Sequence, residues 1–337
     1  MMDVLVCAAP GELKLERREA PQPGAGEVLL RVRRVGICGT DMHIYRGTQP
    51  FLSYPRVMGH ELSGEIVSAP AGSDLAPGDH AYVMPYLSCG TCAACAKGKP
   101  NCCMNIRVLG VHMDGGLCEY LAVPEGFVRK VEGVGLDEAA MVEFLAIGAH
   151  AVRRARIQPG QSALVVGAGP IGIAATLFAK LAGAAVTVLD ARADRLDFCR
   201  DHLGADHVVT LSDETPAALS LLTGGNFYDL VFDATGSPAA MQKGFSYVGH
   251  GGTYVLISVV SADITFSDPE FHKREMSLLA SRNATLEDFD AVLAAIRAGQ
   301  VPTAALNTHK ASLHDLPDAL PGWMEPSAGV IKAIVSC

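Results

Sequence analysis

Between an apolar run at 163–166 and a helical pattern at 171–181 lies Gly167-Ala168-Gly169-Pro170-Ile171-Gly172, a G-x-G-x-x-G turn. Alone such a string says little. Here it follows a strand pattern and opens a helix, and Asp190 closes the next apolar run at 185–189. Strand, glycine turn, helix and a second strand ending in a carboxylate together specify a dinucleotide-binding unit. Gly167 permits the tight turn, Gly169 lets backbone approach a pyrophosphate, and Gly172 lets helix and strand pack closely. Free N–H groups at the helix start favour the phosphate charge. Asp190 is placed to accept from the ribose hydroxyls, which favours NAD over NADP, although Arg192 and Arg195 lie close enough to blunt that preference or to flank the adenine. The uncharged stretch 159–179 reads as this unit and not as a membrane span, because four glycines and Pro170 interrupt it.

The alternation continues. A charged amphipathic helix at 192–203 is followed by strands at 207–210, 230–233, 253–257 and 276–280, then a helix at 286–298. Strands alternating with helices imply a parallel sheet with crossover helices, so the fold class is α/β, a doubly wound Rossmann-type sheet. The first 150 residues differ. Segments at 28–35, 62–68, 80–84 and 118–123 are short, β-branched and separated by Gly, Pro and Asp, which predicts an irregular, mostly antiparallel domain. A last strand pattern at 330–335 suggests that the tail returns to that domain.

A chain of 337 residues accommodates two domains, and 49% hydrophobic with 19% charged residues is a core-forming composition. With 27 Lys and Arg against 36 Asp and Glu the net charge is −9 and no basic block exists, which excludes nucleic acid as a partner. The start of the chain lacks a secretion signal, so a cytoplasmic, reducing setting is expected and clustered cysteines point to metal. Cys89, Cys92 and Cys95 recur at intervals of three, and Cys102 and Cys103 follow. Four thiols in such a loop suit a closed, structural Zn²⁺; spacing does not choose between Cys102 and Cys103. A second constellation is dispersed: Cys38 in 36–43, then His60-Glu61. Thiolate, imidazole and carboxylate make three ligands with an open fourth position, the pattern of catalytic zinc; packed, satisfied side chains are the competing reading.

The 36–43 string, Gly59-His60-Glu61, the cysteine loop and the glycine turn occur in this order and spacing across the whole chain. In this the chain resembles the zinc-dependent medium-chain dehydrogenases, in their polyol, threonine and sugar-acid branch. Segments 49–57, 106–116, 266–275 and 281–285 are similar to those of hexonate- and hexitol-oxidising members. The resemblance implies a discontinuous, β-rich GroES-like catalytic domain (1–149 and 287–337) and a cofactor domain (150–286). It implies two zincs per chain. Cys38, His60, Glu61 and Glu143 map onto the catalytic ligands, and Cys89, Cys92, Cys95 and Cys103 onto the structural site. Where relatives carry Glu-Pro-Leu this chain reads Glu143-Phe144-Leu145. Asp41 corresponds to a partner that orients His60, and Thr40 and His43 to a proton relay. Pro170, Ile171, Arg195, Thr235 and Ile257 join the three glycines and Asp190 in the NAD set.

The implied reaction is oxidation of a secondary hydroxyl on a small-molecule sugar acid or polyol, with L-galactonate or a near stereoisomer oxidised at C5 leading. Arg282 is the candidate for holding the acid's carboxylate. A hexitol such as altritol or sorbitol is the alternative, and a non-enzymatic NAD-binding regulator a second one. The family also implies a homo-oligomer, dimer or tetramer.

Overall fold

The computed structural model describes residues 1–50 and 52–337; Phe51, within the 49–57 segment, lies outside the described residues. Two compact units emerge, Met1–Glu143 with Leu293–Cys337, and Phe144–Val292. The divisions fall inside helices Val142–Ala155 and Leu286–Arg297, where the sequence expectation set them at 149/150 and 286/287.

The first unit is built on a seven-stranded sheet. Its long strand Glu27–Ile37 pairs antiparallel with Glu61–Ser68, Tyr120–Pro124 and Lys332–Ser336. The tail therefore returns as a paired strand of this sheet, flanked on its other side by Asn307–Ser312, the one parallel neighbour in the sheet. Register puts Gly36 opposite Glu61 and Ala333 opposite Ile37. At Gly36 a Cβ would lie 2.0 Å from Glu61 Oε2, so only glycine lets the carboxylate lie against this strand. A hairpin of Met2–Ala9 and Glu12–Arg18, turning at Pro10-Gly11, adds a second sheet. Leu30, Val35, Leu62, Leu117 and Val335 are among the residues that close the core.

The second unit is a six-stranded sheet, parallel throughout, with strands in the order 207–210, 185–190, 162–166, 228–233, 248–256 and 277–280. In chain order that is 3-2-1-4-5-6, the doubly wound Rossmann topology. Helices cover both faces, so the strands read as near-continuous apolar runs and Val165, Val188, Val231 and Val255 are fully buried. Strand Val248–Leu256 starts five residues before the sequence pattern shows it. Gly249 to Gly252 shifts the register against Tyr228 and hides the alternation. No helix among the described residues is long and apolar enough to cross a membrane.

Candidate active site

Helix Gly39–Arg46 begins where strand Glu27–Ile37 ends, with Cys38 as its N-cap. Cys38 Sγ accepts from Thr40 N at 3.2 Å, and the Asp41 carboxylate accepts from Cys38 N at 3.0 Å, a capping box. The other Asp41 oxygen accepts from Gly59 N at 3.1 Å. Fully buried Asp41 thus fixes the backbone at Cys38 and next to His60 together. It makes no hydrogen bond to the His60 ring. His60 Nδ1 is buried without a partner, while Nε2 faces Cys38 Sγ at 3.2 Å. Burial alone would lower the imidazole's pKa. Cys38, Asp41 and Glu143 instead hold it well above the ordinary value.

Ligand atoms of Cys38, Asp41 and His60 lie within 4.8 Å of one another, and so do those of His60, Glu61 and Glu143. Both Glu61 oxygens accept from Lys332 Nζ at 2.7 Å, and both side chains are completely buried. Lys332 Nζ also reaches Ile37 O at 3.3 Å. Glu143, at the start of helix Val142–Ala155, accepts from the Tyr86 hydroxyl. Burial and the Glu61 charge raise the Glu143 carboxyl against the lowering pull of His60 and Lys332. Burial and Glu143 likewise push the Tyr86 phenol well up. One thiol, one imidazole and the carboxylates of Asp41, Glu61 and Glu143 therefore form two overlapping groups that share His60, with Lys332 as counter-charge beside Glu61. A divalent cation offsets most of that charge: with Cys38 as thiolate, Asp41, Glu61 and Glu143 against Lys332 and Zn²⁺ leave a net charge of −1. The 3.2 Å between Sγ and Nε2 can be bridged by two zinc bonds of about 2.3 and 2.0 Å.

The cysteine lobe is tighter still. Cys89, Cys92, Cys95 and Cys103 gather their sulfurs within 4.8 Å, with separations of 3.5 Å for Cys92–Cys95, 3.5 Å for Cys89–Cys103 and 3.9 Å for Cys92–Cys103. A tetrahedron of about 2.3 Å zinc–sulfur bonds has edges near 3.8 Å. Cys103 is the buried fourth member, whereas Cys102 is exposed and outside the group, which settles the choice that spacing left open. Amide donors surround the lobe: Cys89 N and Asn105 N give to Cys103 Sγ, and Met104 N to Cys92 Sγ. Hydrogen bonds from the Thr91 and Cys92 amides lower the Cys89 thiol to about 5, while burial pushes Cys95 up to about 12.

In the second unit the glycine turn follows strand Ser162–Val166. Gly167 is left-handed at φ 94°, and Gly169 caps helix Pro170–Leu181. A Cβ on Gly172 would sit 1.7 Å from Gly167 O. Asp190 Oδ2 accepts from Ala168 N at 2.6 Å and Oδ1 from Arg192 N at 2.8 Å, so the carboxylate braces the turn from the neighbouring strand end. Arg192 is clamped on Asp194 at 2.6 and 3.0 Å, and Arg195 is only 5% exposed. At the next strand end, fully buried Asp233 accepts from Thr235 N and Oγ1 at 3.0 and 2.9 Å, and its carbonyl accepts from Ile257 N at 3.0 Å. One residue therefore orders two candidate cofactor positions. Because all six strands are parallel, Gly167, Asp190, Thr235, Ile257 and Arg282 each follow a carboxyl end, where open α/β sheets bind ligands.

Residues 24–133 match the model of the alcohol dehydrogenase GroES-like domain, and residues 170–298 that of the zinc-binding dehydrogenases. The chain belongs to the zinc-type medium-chain dehydrogenase family. This dehydrogenase is 42% identical over 336 residues to the L-galactonate-5-dehydrogenase of Escherichia coli K12, with 99% of each chain covered. It is 33% identical to the 2-dehydro-3-deoxy-L-galactonate 5-dehydrogenase of Pseudoalteromonas atlantica, covering 94% of this chain and 93% of that one. A crystal structure of the RspB alcohol dehydrogenase of E. coli CFT073 with NADH superposes with a TM-score of 0.93 at 32% identity, covering 100% and 99%.

The dehydrogenase thus brings Cys38 and, in a second group, Glu61 and Glu143 to His60, and gathers the four cysteines elsewhere. Thr40 and His43 lie one turn apart on helix Gly39–Arg46, and exposed His43 meets Thr48 Oγ1 through Nδ1 at 2.9 Å. Three residues escaped the sequence reading: Lys332, Tyr86 and Asp233. Lys332 left a signal, a lone cation inside the apolar run Val330-Ile331-Lys332-Ala333-Ile334-Val335. Tyr86 and Asp233 left none, since a Tyr or a strand-end Asp is common in any domain.

Proposed function

We propose that the enzyme oxidises the C5 hydroxyl of a hexonate, L-galactonate foremost, to the ketone with NAD⁺ as acceptor. The observation that carries this is full-length 42% identity to an L-galactonate-5-dehydrogenase in a chain that keeps the whole donor cluster. In this reading the first unit is the zinc domain and the second the NAD domain. Cys38, His60, Glu61 and Glu143 hold the catalytic zinc, and the cysteine lobe holds the structural one. A zinc ion held there would supply Lewis-acid chemistry toward the substrate hydroxyl. NAD, its pyrophosphate held at the glycine turn, would supply the hydride acceptor.

The chain's own residues do the rest. Lys332 pairs with both oxygens of Glu61, and Tyr86 fixes the second carboxylate. Asp41 locks the backbone of two ligands at once. The Thr40 hydroxyl would accept the proton that leaves the substrate while passing its own through the cofactor ribose to His43, which is open to solvent and releases it. Arg192 is neutralised by Asp194 and is a poor partner for a 2′-phosphate, which with Asp190 supports NAD over NADP. Exposed Arg282 offers a bidentate fork for the hexonate carboxylate. A cytosolic setting rests on clustered cysteines that suit metal, and assembly as a dimer or tetramer rests on the family alone.

The test is NADH formation across L-galactonate, L-gulonate, L-idonate, D-altritol and sorbitol. The expected result is a strong preference for L-galactonate. Faster turnover of a hexitol would discard the acid and with it the role of Arg282.

A further inference from the structure

Arg282 and Asn283 sit in a five-residue loop between strand Ser277–Ala280 and helix Leu286–Arg297. The loop is tied at both ends by consecutive arginines of helix Val142–Ala155. At its start, Arg154 Nε donates to Ala280 O at 2.6 Å, and Ser281 N donates to Leu256 O at 2.8 Å. At its end, an Arg153 terminal nitrogen donates to Thr285 Oγ1 at 2.9 Å. Thr285 also closes on Asp288, three residues on, through its amide at 2.8 Å and its hydroxyl at 2.9 Å. Asp288 is 1% exposed and collects Arg153 Nε at 2.6 Å and His150 Nδ1 at 2.8 Å as well. Between the ties Asn283 is left-handed at φ 52°, a conformation that Asn tolerates and most residues avoid. A loop of this length, held at both ends and bent by a left-handed residue, has little freedom left. Its backbone direction at Arg282 is set by groups on another helix.

None of these four side chains is needed to hold the parallel sheet, whose ladder runs independently of them. A surface loop placed by ordinary turn chemistry would need only the Thr285–Asp288 cap. Here the cap carboxylate is engaged on both oxygens from the neighbouring helix, and a second arginine grips the strand end. We propose that Arg153, Arg154, His150 and Asp288 are positioning residues that aim Arg282, and that they thereby set the preference of the enzyme for carboxylate-bearing over neutral substrates. This rests on the reading of Arg282 as the carboxylate partner.

The experiment compares kcat/KM for L-galactonate with that for its neutral isostere L-galactonamide, in the wild type and in Arg282→Ala, Arg154→Gln and Asp288→Asn, with zinc content, NADH affinity and Tm measured alongside. Arg282→Ala lowers the acid-to-amide ratio about 10- to 100-fold, the value of a charge-assisted hydrogen bond. Arg154→Gln and Asp288→Asn lower it about 3- to 10-fold, through KM for the acid, because aim and not charge is lost. An unchanged ratio in both, while Arg282→Ala collapses it, overturns the positioning role and leaves Arg282 standing. An equal loss on both substrates with a lowered Tm makes the cluster structural only and also overturns it. A ratio untouched by Arg282→Ala removes the reading beneath it. Arg154 is exposed, so its variant stays informative if Asp288→Asn folds poorly.

Discussion

Lys332 and Glu61 are a buried ion pair, and removing one partner of such a pair costs more than the pair contributes, about 3–5 kcal/mol. Lys332→Met is expected to lower Tm strongly and to change catalytic zinc occupancy, while Glu61→Gln with Lys332→Met together should recover part of the loss. Thermal melts and metal analysis of the three proteins check this; a silent Lys332→Met would show the pair to be dispensable. Asp190 offers a second test. Asp190→Ser should cost about tenfold or more in NADH affinity, by losing the brace on Ala168 N together with the ribose contact, read by fluorescence titration. At this scale legibility was uneven. The cysteine lobe could be read because metal chemistry restricts both residue type and spacing, whereas the dispersed Cys38 and His60 were assigned through the family resemblance. Glu61 could be found, but its partner could not be paired with it, because the two lie 271 residues apart.

Elements behave as units. A side chain on Gly172 meets a carbonyl and not a flexible neighbour, so Gly172→Ala must separate the helix from the turn. The expected outcome is about 1–3 kcal/mol of destabilisation with NADH binding lost and both zincs retained, seen by titration and metal analysis. In the lobe, Cys92→Ser should reduce zinc from two per chain to one and make the 89–105 loop protease-sensitive. Loss of both metals would show the two sites to be coupled. The Asp288 cluster joins two helices and carries a pH signature. Burial pushes the Asp288 carboxyl up, but His150 and Arg153 overcome this and hold it far below the ordinary carboxylate range. A carboxylate lowered in the folded state stabilises above its unfolded pKa of about 3.9 and loses that contribution below it. The gap in unfolding free energy between wild type and Asp288→Asn should therefore be full at pH 7 and narrow as pH falls through about 4, measured by urea denaturation. Helix and strand periods revealed most elements here. The N-terminal hairpin and the start of strand Val248–Leu256 stayed hidden, the first because its strand Glu12–Arg18 is largely exposed and the second because of its glycines.

At the scale of the molecule, alternation after residue 150 sufficed to read a parallel sheet, and the 3-2-1-4-5-6 order follows from the family's winding and not from any single strand. The β-rich unit was legible only as a class. Its strand order depends on pairings such as Glu27–Ile37 with Lys332–Ser336, which no local pattern encodes. That pairing means that the sheet and the site share one closing piece. When Glu61 leaves the ribosome, its counter-ion lies 271 codons downstream. At about 5–20 residues per second the carboxylate waits roughly 15–55 s for its lysine. Over that interval Glu61 lacks the partner that it has in the finished sheet. The buried pair at the site therefore forms only after nearly the whole chain has been made, when the last strand takes its place in the sheet.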